Sequence, residues 1–171
     1  DAWLLALPAR VQVTDEHGAF VSETRNYYDG DPYVGLAFGQ VGLRGELTRE
    51  ERFVNGPVPV PAFNVITGAV GDPRRPVGAS ITVARHRYDS FGNLVETRDA
   101  LYAGSGAGHA RRFAYDPEFH TYVVTETLEV GNGEPDLVAT AEYDAGGGVL
   151  TAAREFNGNL TTFHYDAFWR L

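Results

Sequence analysis

The five histidines, His17, His86, His109, His120 and His164, are the side chains of this sequence best suited to proton transfer or metal binding. None stands two or four residues from another, the spacings that put two imidazoles on one strand face or one helix face. They read as surface or strand-face residues. Asp29-Gly30-Asp31 places two carboxylates as a calcium loop would begin. No Glu follows at the distance that would close such a loop, so the reading there is a turn. Gly104-Ser105-Gly106-Ala107-Gly108 has the glycine density of a phosphate loop. Such a loop leads from a buried strand into a helix, whereas this one leads into Arg111–Tyr115, which alternates as a strand does. Ser, His and Asp are scattered, with no nucleophile-bearing turn among them. No catalysis, metal or cofactor is expected.

One pair of residues does recur. Tyr-Asp stands at Tyr28-Asp29, Tyr88-Asp89, Tyr115-Asp116, Tyr143-Asp144 and Tyr165-Asp166, and the last four copies lie 27, 28 and 22 residues apart. The context recurs with it. Tyr88-Asp89-Ser90-Phe91-Gly92-Asn93-Leu94 aligns with Tyr165-Asp166-Ala167-Phe168-Trp169-Arg170-Leu171, and more loosely with Tyr143-Asp144 and the glycines after it. Its chemistry is mechanical. An Asp carboxylate accepts a backbone N–H two residues on, a Gly takes the left-handed backbone position, and a Tyr packs its ring on the next strand with its hydroxyl at the wet edge. The motif predicts a hairpin corner.

Corners need strands between them, and the intervening segments alternate with period two. Tyr122, Val124, Leu128 and Val130 share one face, broken by Glu126, and Leu137, Ala139, Ala141 and Tyr143 share another. Turns are expected at Asp89–Gly92, Asp144–Gly147 and Asn157–Gly158, the last as a type I′ turn with positive φ at both Asn157 and Gly158. Asp15-Glu16-His17-Gly18 should turn in the same manner, and Gly71-Asp72-Pro73 should be a loop. Glu46–Phe53 is the best helical candidate and reads about equally well as a strand. The fold class expected is all-β: an antiparallel β-hairpin repeat array. A boundary is placed between an atypical N-terminal β module, residues 1–63, and repeat strands in residues 64–171.

Composition agrees. Tyr, Phe, Val and Thr suit half-buried strands, and the chain has 9 Tyr, 10 Phe and 20 Gly. With 43% hydrophobic and 22% charged residues it is too apolar to be disordered. The net charge of −9 repels phosphate backbones, which argues against a nucleic-acid partner. The absence of cysteine excludes disulfides and thiol chemistry. No apolar run approaches the roughly 20 residues of a membrane-spanning helix. The absence of Met and the start at Asp1 suggest a segment of a longer protein.

These corners resemble the YD repeats of the Rhs family, whose units are similar to Tyr88-Asp89-x-x-Gly92-Asn93-Leu94. The stretch Asn26–Gly30, then Gly35–Gln40, then Gly45–Arg49 is similar to the segment preceding those repeats in the B component of insecticidal Tc toxin complexes. Together the two resemblances cover nearly the whole chain. They imply a strand spiral forming part of a hollow, non-catalytic shell around a toxic C-terminal segment, secreted as part of a bacterial toxin complex. The implied partners are the remaining strands of the shell, the enclosed toxin segment and the other components of the complex. The other function class compatible with the residues is a carbohydrate- or receptor-binding β-repeat surface of a secreted or cell-surface protein, in which exposed aromatic rings would stack on sugars.

Overall fold

The computed structural model describes residues 6–55, 66–67, 78–102 and 108–171. The anticipated boundary at 63/64, the Gly71-Asp72-Pro73 loop and most of the Gly104–Gly108 string lie outside the described residues. Every element among the described residues is a strand. These are β1 (Arg10–Thr14), β2 (Phe20–Tyr28), β3 (Leu47–Asn55), β4 (Ile66–Thr67), β5 (Gly78–Tyr88), β6 (Leu94–Asp99), β7 (Ala110–Tyr115), β8 (Val123–Glu129), β9 (Leu137–Asp144), β10 (Val149–Arg154) and β11 (Leu160–Thr162). The helical candidate Glu46–Phe53 is strand from Leu47 onward, within β3. Its residues pair on both sides, Arg49 with Tyr27 of β2 and with Arg85 of β5, and two ladders of backbone hydrogen bonds outweigh a weak local preference.

Contacts divide the chain into two units, Asp1–Arg87 and Tyr88–Leu171. In the first, β2 pairs with β1 and β3, β3 with β5, and the short β4 with β5, all antiparallel. In the second, β6 to β11 pair in sequence order, all antiparallel. In the second unit neighbours in sequence are therefore neighbours in the sheet, as hairpins require, whereas in the first β3 pairs with β5 across the short β4. The register slips just before a corner tyrosine in three places, between Tyr27 and Tyr28, between Ala114 and Tyr115 and between Glu142 and Tyr143. Such bulges increase the local twist and turn the strand end toward its corner.

Little of either unit is buried. Among the described residues the buried apolar side chains are Tyr27, Tyr28, Phe53 and Ala110. In the first unit the ring of Phe20 meets Phe53 edge-on at 5.0 Å. The long segment after β2 folds back over the Tyr27 side of the sheet: Leu36 N–H donates to Tyr28 O at 3.0 Å, and the Phe38 ring lies 5.7 Å from that of Tyr27. Gly35 sits so close to Tyr27 that a Cβ on it would stand 2.8 Å from the Tyr27 Cβ, at a φ of +81°. In the second unit every residue of β8 is half-buried, and apolar side chains such as Leu137, Val138, Leu160 and Phe168 are exposed. A sheet with both faces this open needs something else to cover it.

Candidate functional site

Four of the five Tyr-Asp pairs end a strand and Tyr165-Asp166 stands just beyond β11, and each Asp carboxylate organises the turn that follows. Asp89 Oδ1 accepts the N–H of Phe91 and of Asn93, both at 2.9 Å. Asp166 Oδ1 accepts the N–H of Phe168 at 2.8 Å and of Arg170 at 3.0 Å. Asp144 Oδ1 accepts Gly146 N–H at 2.9 Å and Gly147 N–H at 2.8 Å. Asp116 takes Phe119 N–H on Oδ2 at 2.6 Å, and Thr121 and Tyr122 N–H on Oδ1 at 2.8 Å each. Asp29 does the same across a much longer loop, accepting Gly42 N–H at 2.7 Å and Gly45 and Glu46 N–H at 3.0 Å each.

Four corners share one backbone design. In Asp15–Ala19, Asp89–Asn93, Glu155–Asn159 and Asp166–Arg170, the first N–H donates to the fifth carbonyl and the fourth N–H to the first carbonyl. The fourth residue is left-handed each time: Gly18 at φ 78°, Gly92 at 89°, Gly158 at 84° and Trp169 at 59°. This is a type I turn followed by a one-residue bulge. It corrects the type I′ expectation for Asn157-Gly158 and for the Asp15 turn. Asn157 does not take positive φ; its Oδ1 instead accepts Asn159 N–H at 3.0 Å, so the loop is one residue longer than a type I′ hairpin. Trp169 stands in the left-handed position without being Gly, and its indole lies over Gly147. Asp144 makes a wider turn in which Gly148, at φ 65°, donates to Asp144 O at 2.8 Å.

The tyrosines tie corners to strands. Tyr115 Oη donates to Leu94 O at 3.1 Å, and Tyr165 Oη donates to Leu150 O at 2.9 Å. In both cases the acceptor lies at the start of the strand by which the chain leaves an earlier Tyr-Asp corner, Leu94 first in β6 and Leu150 second in β10. Tyr28 Oη donates to Pro8 O at 3.1 Å, and the Tyr143 ring stacks on Tyr122 at 4.8 Å. The hydroxyls of Tyr28, Tyr115 and Tyr165 are thus engaged with backbone rather than left to solvent, because the rings reach carbonyls of neighbouring chain segments. Two corners also touch directly. Asn93 Nδ2 donates to His120 O at 2.7 Å, and the Phe91 and His120 rings stack at 3.8 Å.

These contacts set the ionisation of the corner carboxylates. Desolvation pushes the Asp116 carboxyl up, but backbone N–H donors from Tyr122, Phe119, Thr121 and His120 outweigh it and hold the pKa at about 2, below the ordinary 3.8. Asp89 is also lowered, desolvation opposing and Asn93, Phe91 and Gly92 winning, and Asp166 is lowered first by the Arg170 side chain. A carboxyl depressed by folding stabilises the fold above its unfolded pKa, and that contribution disappears as pH falls through the folded value. The Asp116 corner should therefore loosen between about pH 3.8 and about pH 2. Following the Asp116 carboxyl and the Thr121 and Tyr122 amides by NMR through an acid titration checks this; a carboxyl midpoint near 3.8 would contradict it.

Sequence reasoning missed two features. Asp99 also caps its strand, accepting Leu101 N–H and His109 N–H at 2.9 Å each, and no Tyr precedes it. Buried ion pairs run along single strands two residues apart. Arg25 donates to Glu23 at 2.7 Å and Arg98 to Glu96 at 2.7 Å. Arg49 lies 3.6 Å from Glu51. Glu23, Glu51 and Glu96 are buried. Tyr27 Oη donates to Glu51 at 2.8 Å, and the Arg49 guanidinium lies over the Tyr27 ring at 3.9 Å. Burial, then the Glu51 contact, push the Tyr27 phenol up. The recurrent Glu/Arg spacing of two was the available signal. The histidines are dispersed: His17 is exposed beside Glu16, burial lowers His86, His109 meets Glu129 O and His120 stacks on Phe91. Among the described residues no three His, Asp or Glu side chains are grouped to hold a metal ion.

No family model matches the chain, and no curated protein matches it. Among the solved structures similar to it is one titled "Crystal Structure of TcdB2-TccC3-Cdc42", with a TM-score of 0.64 and 13% sequence identity. The match covers 88% of this chain and 8% of that one, so the chain spans a small part of the length of the protein it resembles. At this identity the likeness is one of fold: an antiparallel β-hairpin array that also occurs in that structure.

Proposed function

We propose that this chain is a non-catalytic wall segment of a YD-repeat shell. In this reading the shell encloses a toxic C-terminal segment of a longer secreted protein until other components of the complex release it. The observation that carries the reading is where the motif's polar atoms go. Each Tyr-Asp carboxylate accepts backbone N–H groups, and Tyr115 and Tyr165 donate to the strand leaving an earlier corner. Groups committed to backbone in this way build a continuous surface and are poorly placed to act as acids, bases or ligands. The open faces of the sheet and the likeness to part of a toxin-complex structure support the same reading.

A delivery assay on the full-length parent tests it. Gly92→Val forces a β-branched side chain to φ 89°, which costs about 1–3 kcal/mol at one corner and should impair assembly and delivery together. His→Ala at His17, His86, His109, His120 or His164 should leave delivery nearly unchanged. A His or Asp substitution that abolishes delivery while folding and assembly stay normal would overturn the reading.

A further inference from the structure

The sequence has three Asn-Gly steps, Asn55-Gly56, Asn132-Gly133 and Asn157-Gly158. Such a step is prone to spontaneous change. The glycine nitrogen can attack the Asn side-chain carbonyl carbon, and no Cβ on the glycine hinders the approach. Gly56 lies outside the described residues. The other two steps stand at hairpin tips, in different turns.

Asn132-Gly133 is the tip of the β8–β9 hairpin. The register pairs Thr125 with Thr140 and Leu128 with Leu137. Carried on, it brings Gly131 opposite Glu134 and leaves two residues to close the hairpin. Glu134 N–H donates to Gly131 O at 3.1 Å, with Asn132 at φ 55° and Gly133 at φ 80°. This is the type I′ turn that local sequence suggested for Asn157-Gly158. Both tip residues are exposed, and nothing stands within 4 Å of where a Cβ on Gly133 would be. Neither the Asn132 carboxamide nor the Gly133 N–H has a hydrogen-bond partner among the described residues. At the β10–β11 tip the corresponding groups are engaged. Gly158 N–H donates to Glu155 O at 2.8 Å, and Asn157 Oδ1 accepts Asn159 N–H at 3.0 Å. The Gly158 nitrogen must give up its hydrogen bond before it can attack.

We propose that Asn132 is a site of spontaneous modification, at which the Gly133 nitrogen closes a succinimide ring that water opens to isoaspartate or aspartate. Ring closure forms a bond from the Gly133 nitrogen to the Asn132 Cγ and breaks the carboxamide C–N bond. The Gly133 N–H proton leaves with the side-chain nitrogen as ammonia. Water then adds to one of the two ring carbonyls and cleaves its bond to the ring nitrogen. No electrons are transferred, and water is the co-reactant. Opening at the main-chain carbonyl routes the backbone through the Asn132 Cβ and lengthens the turn by one atom. Either product sets a new carboxylate close to Glu134 and Asp136, which are exposed. The tip thus changes with age from a tight turn with a neutral Asn to a longer, more acidic loop. The inference goes beyond the shell reading and holds or fails independently of it.

The test is ageing of the whole folded chain at mildly alkaline pH, followed by tryptic peptide mapping with mass spectrometry. Cleavage after Arg112, Arg154 and Arg170 puts Asn132 in the peptide 113–154 and Asn157 in the peptide 155–170. Asn132 should convert about tenfold faster than Asn157, the factor that one retained hydrogen bond imposes. Isoaspartate should be the larger product at Asn132, and hydrogen exchange at the Glu134 amide should quicken in the modified chain. In urea, where both turns are lost, the two rates should converge. Equal conversion in the folded chain, or faster conversion at Asn157, would overturn the proposal. A rate difference that persists in urea would overturn it too, because sequence and not the turn would then set it. So would aspartate as the sole product at Asn132, which would mean hydrolysis without the ring.

Discussion

Glu51→Ala should destabilise the fold by about 3–5 kcal/mol, because it breaks a buried ion pair from one side. The Glu51 side chain is 1% exposed, accepts the Tyr27 hydroxyl at 2.8 Å and faces the Arg49 guanidinium, which is itself 18% exposed. Removing it leaves a cation and a phenol buried without their acceptor. The pair is already imperfect: Glu51 Oε1 and Arg49 Nε have no hydrogen-bond partner among the described residues. Glu51→Gln keeps an acceptor for Tyr27 and should cost less. Glu50→Ala is the control, since its pair with Arg52 lies on an exposed side of the strand, where such pairs contribute about 1 kcal/mol or less. Urea unfolding of the three variants checks the order. Equal losses for Glu51→Ala and Glu50→Ala would mean that the segment covering Tyr27 does not keep water out.

Asp29→Ala should have the second largest effect, about 2–4 kcal/mol, confined to residues 29–46. Three N–H groups, of Gly42, Gly45 and Glu46, lose their charged acceptor together, and a position at φ 51° receives a side chain with nothing to offer it. Asp29→Asn tolerates the left-handed backbone and keeps an acceptor oxygen, so it should fall between wild type and Asp29→Ala. Amide hydrogen exchange reads the effect directly. Gly42, Gly45 and Glu46 should exchange faster in Asp29→Ala, while Thr140 and Ala141 in β9 should not change. Unchanged protection in the loop would show that Gly35 and Phe38, packed on Tyr27, hold it without Asp29.

The strands and the positions of the corners were legible because both are local. Alternation marks β8 and β9, and an Asp three residues before a Gly marks Asp15–Gly18 and Asp89–Gly92. Turn type was less legible. Asn157-Gly158 suits a type I′ turn, but the β10–β11 pairing, with Arg154 opposite Leu160, leaves Glu155–Asn159 as a five-residue corner. That choice is made by register, which two residues cannot encode. The tyrosine hydroxyl acceptors were hidden for a similar reason: Tyr115 reaches Leu94, 21 residues away. The burial of Glu23, Glu51 and Glu96 was not legible, because strand alternation says which face a side chain shares and not whether that face is covered. For Glu51 the cover includes Gly35 and Phe38, packed on the neighbouring Tyr27.

The central claim is that this chain is a stretch of wall, and the most direct test is a cryo-EM reconstruction of the protein expressed from its whole gene. The account predicts that β1 and β11 each gain a further strand from the same polypeptide, within a continuous sheet enclosing density for a C-terminal segment. A separate domain on the outside of the particle, with both edges open to solvent and no enclosed density, would contradict it.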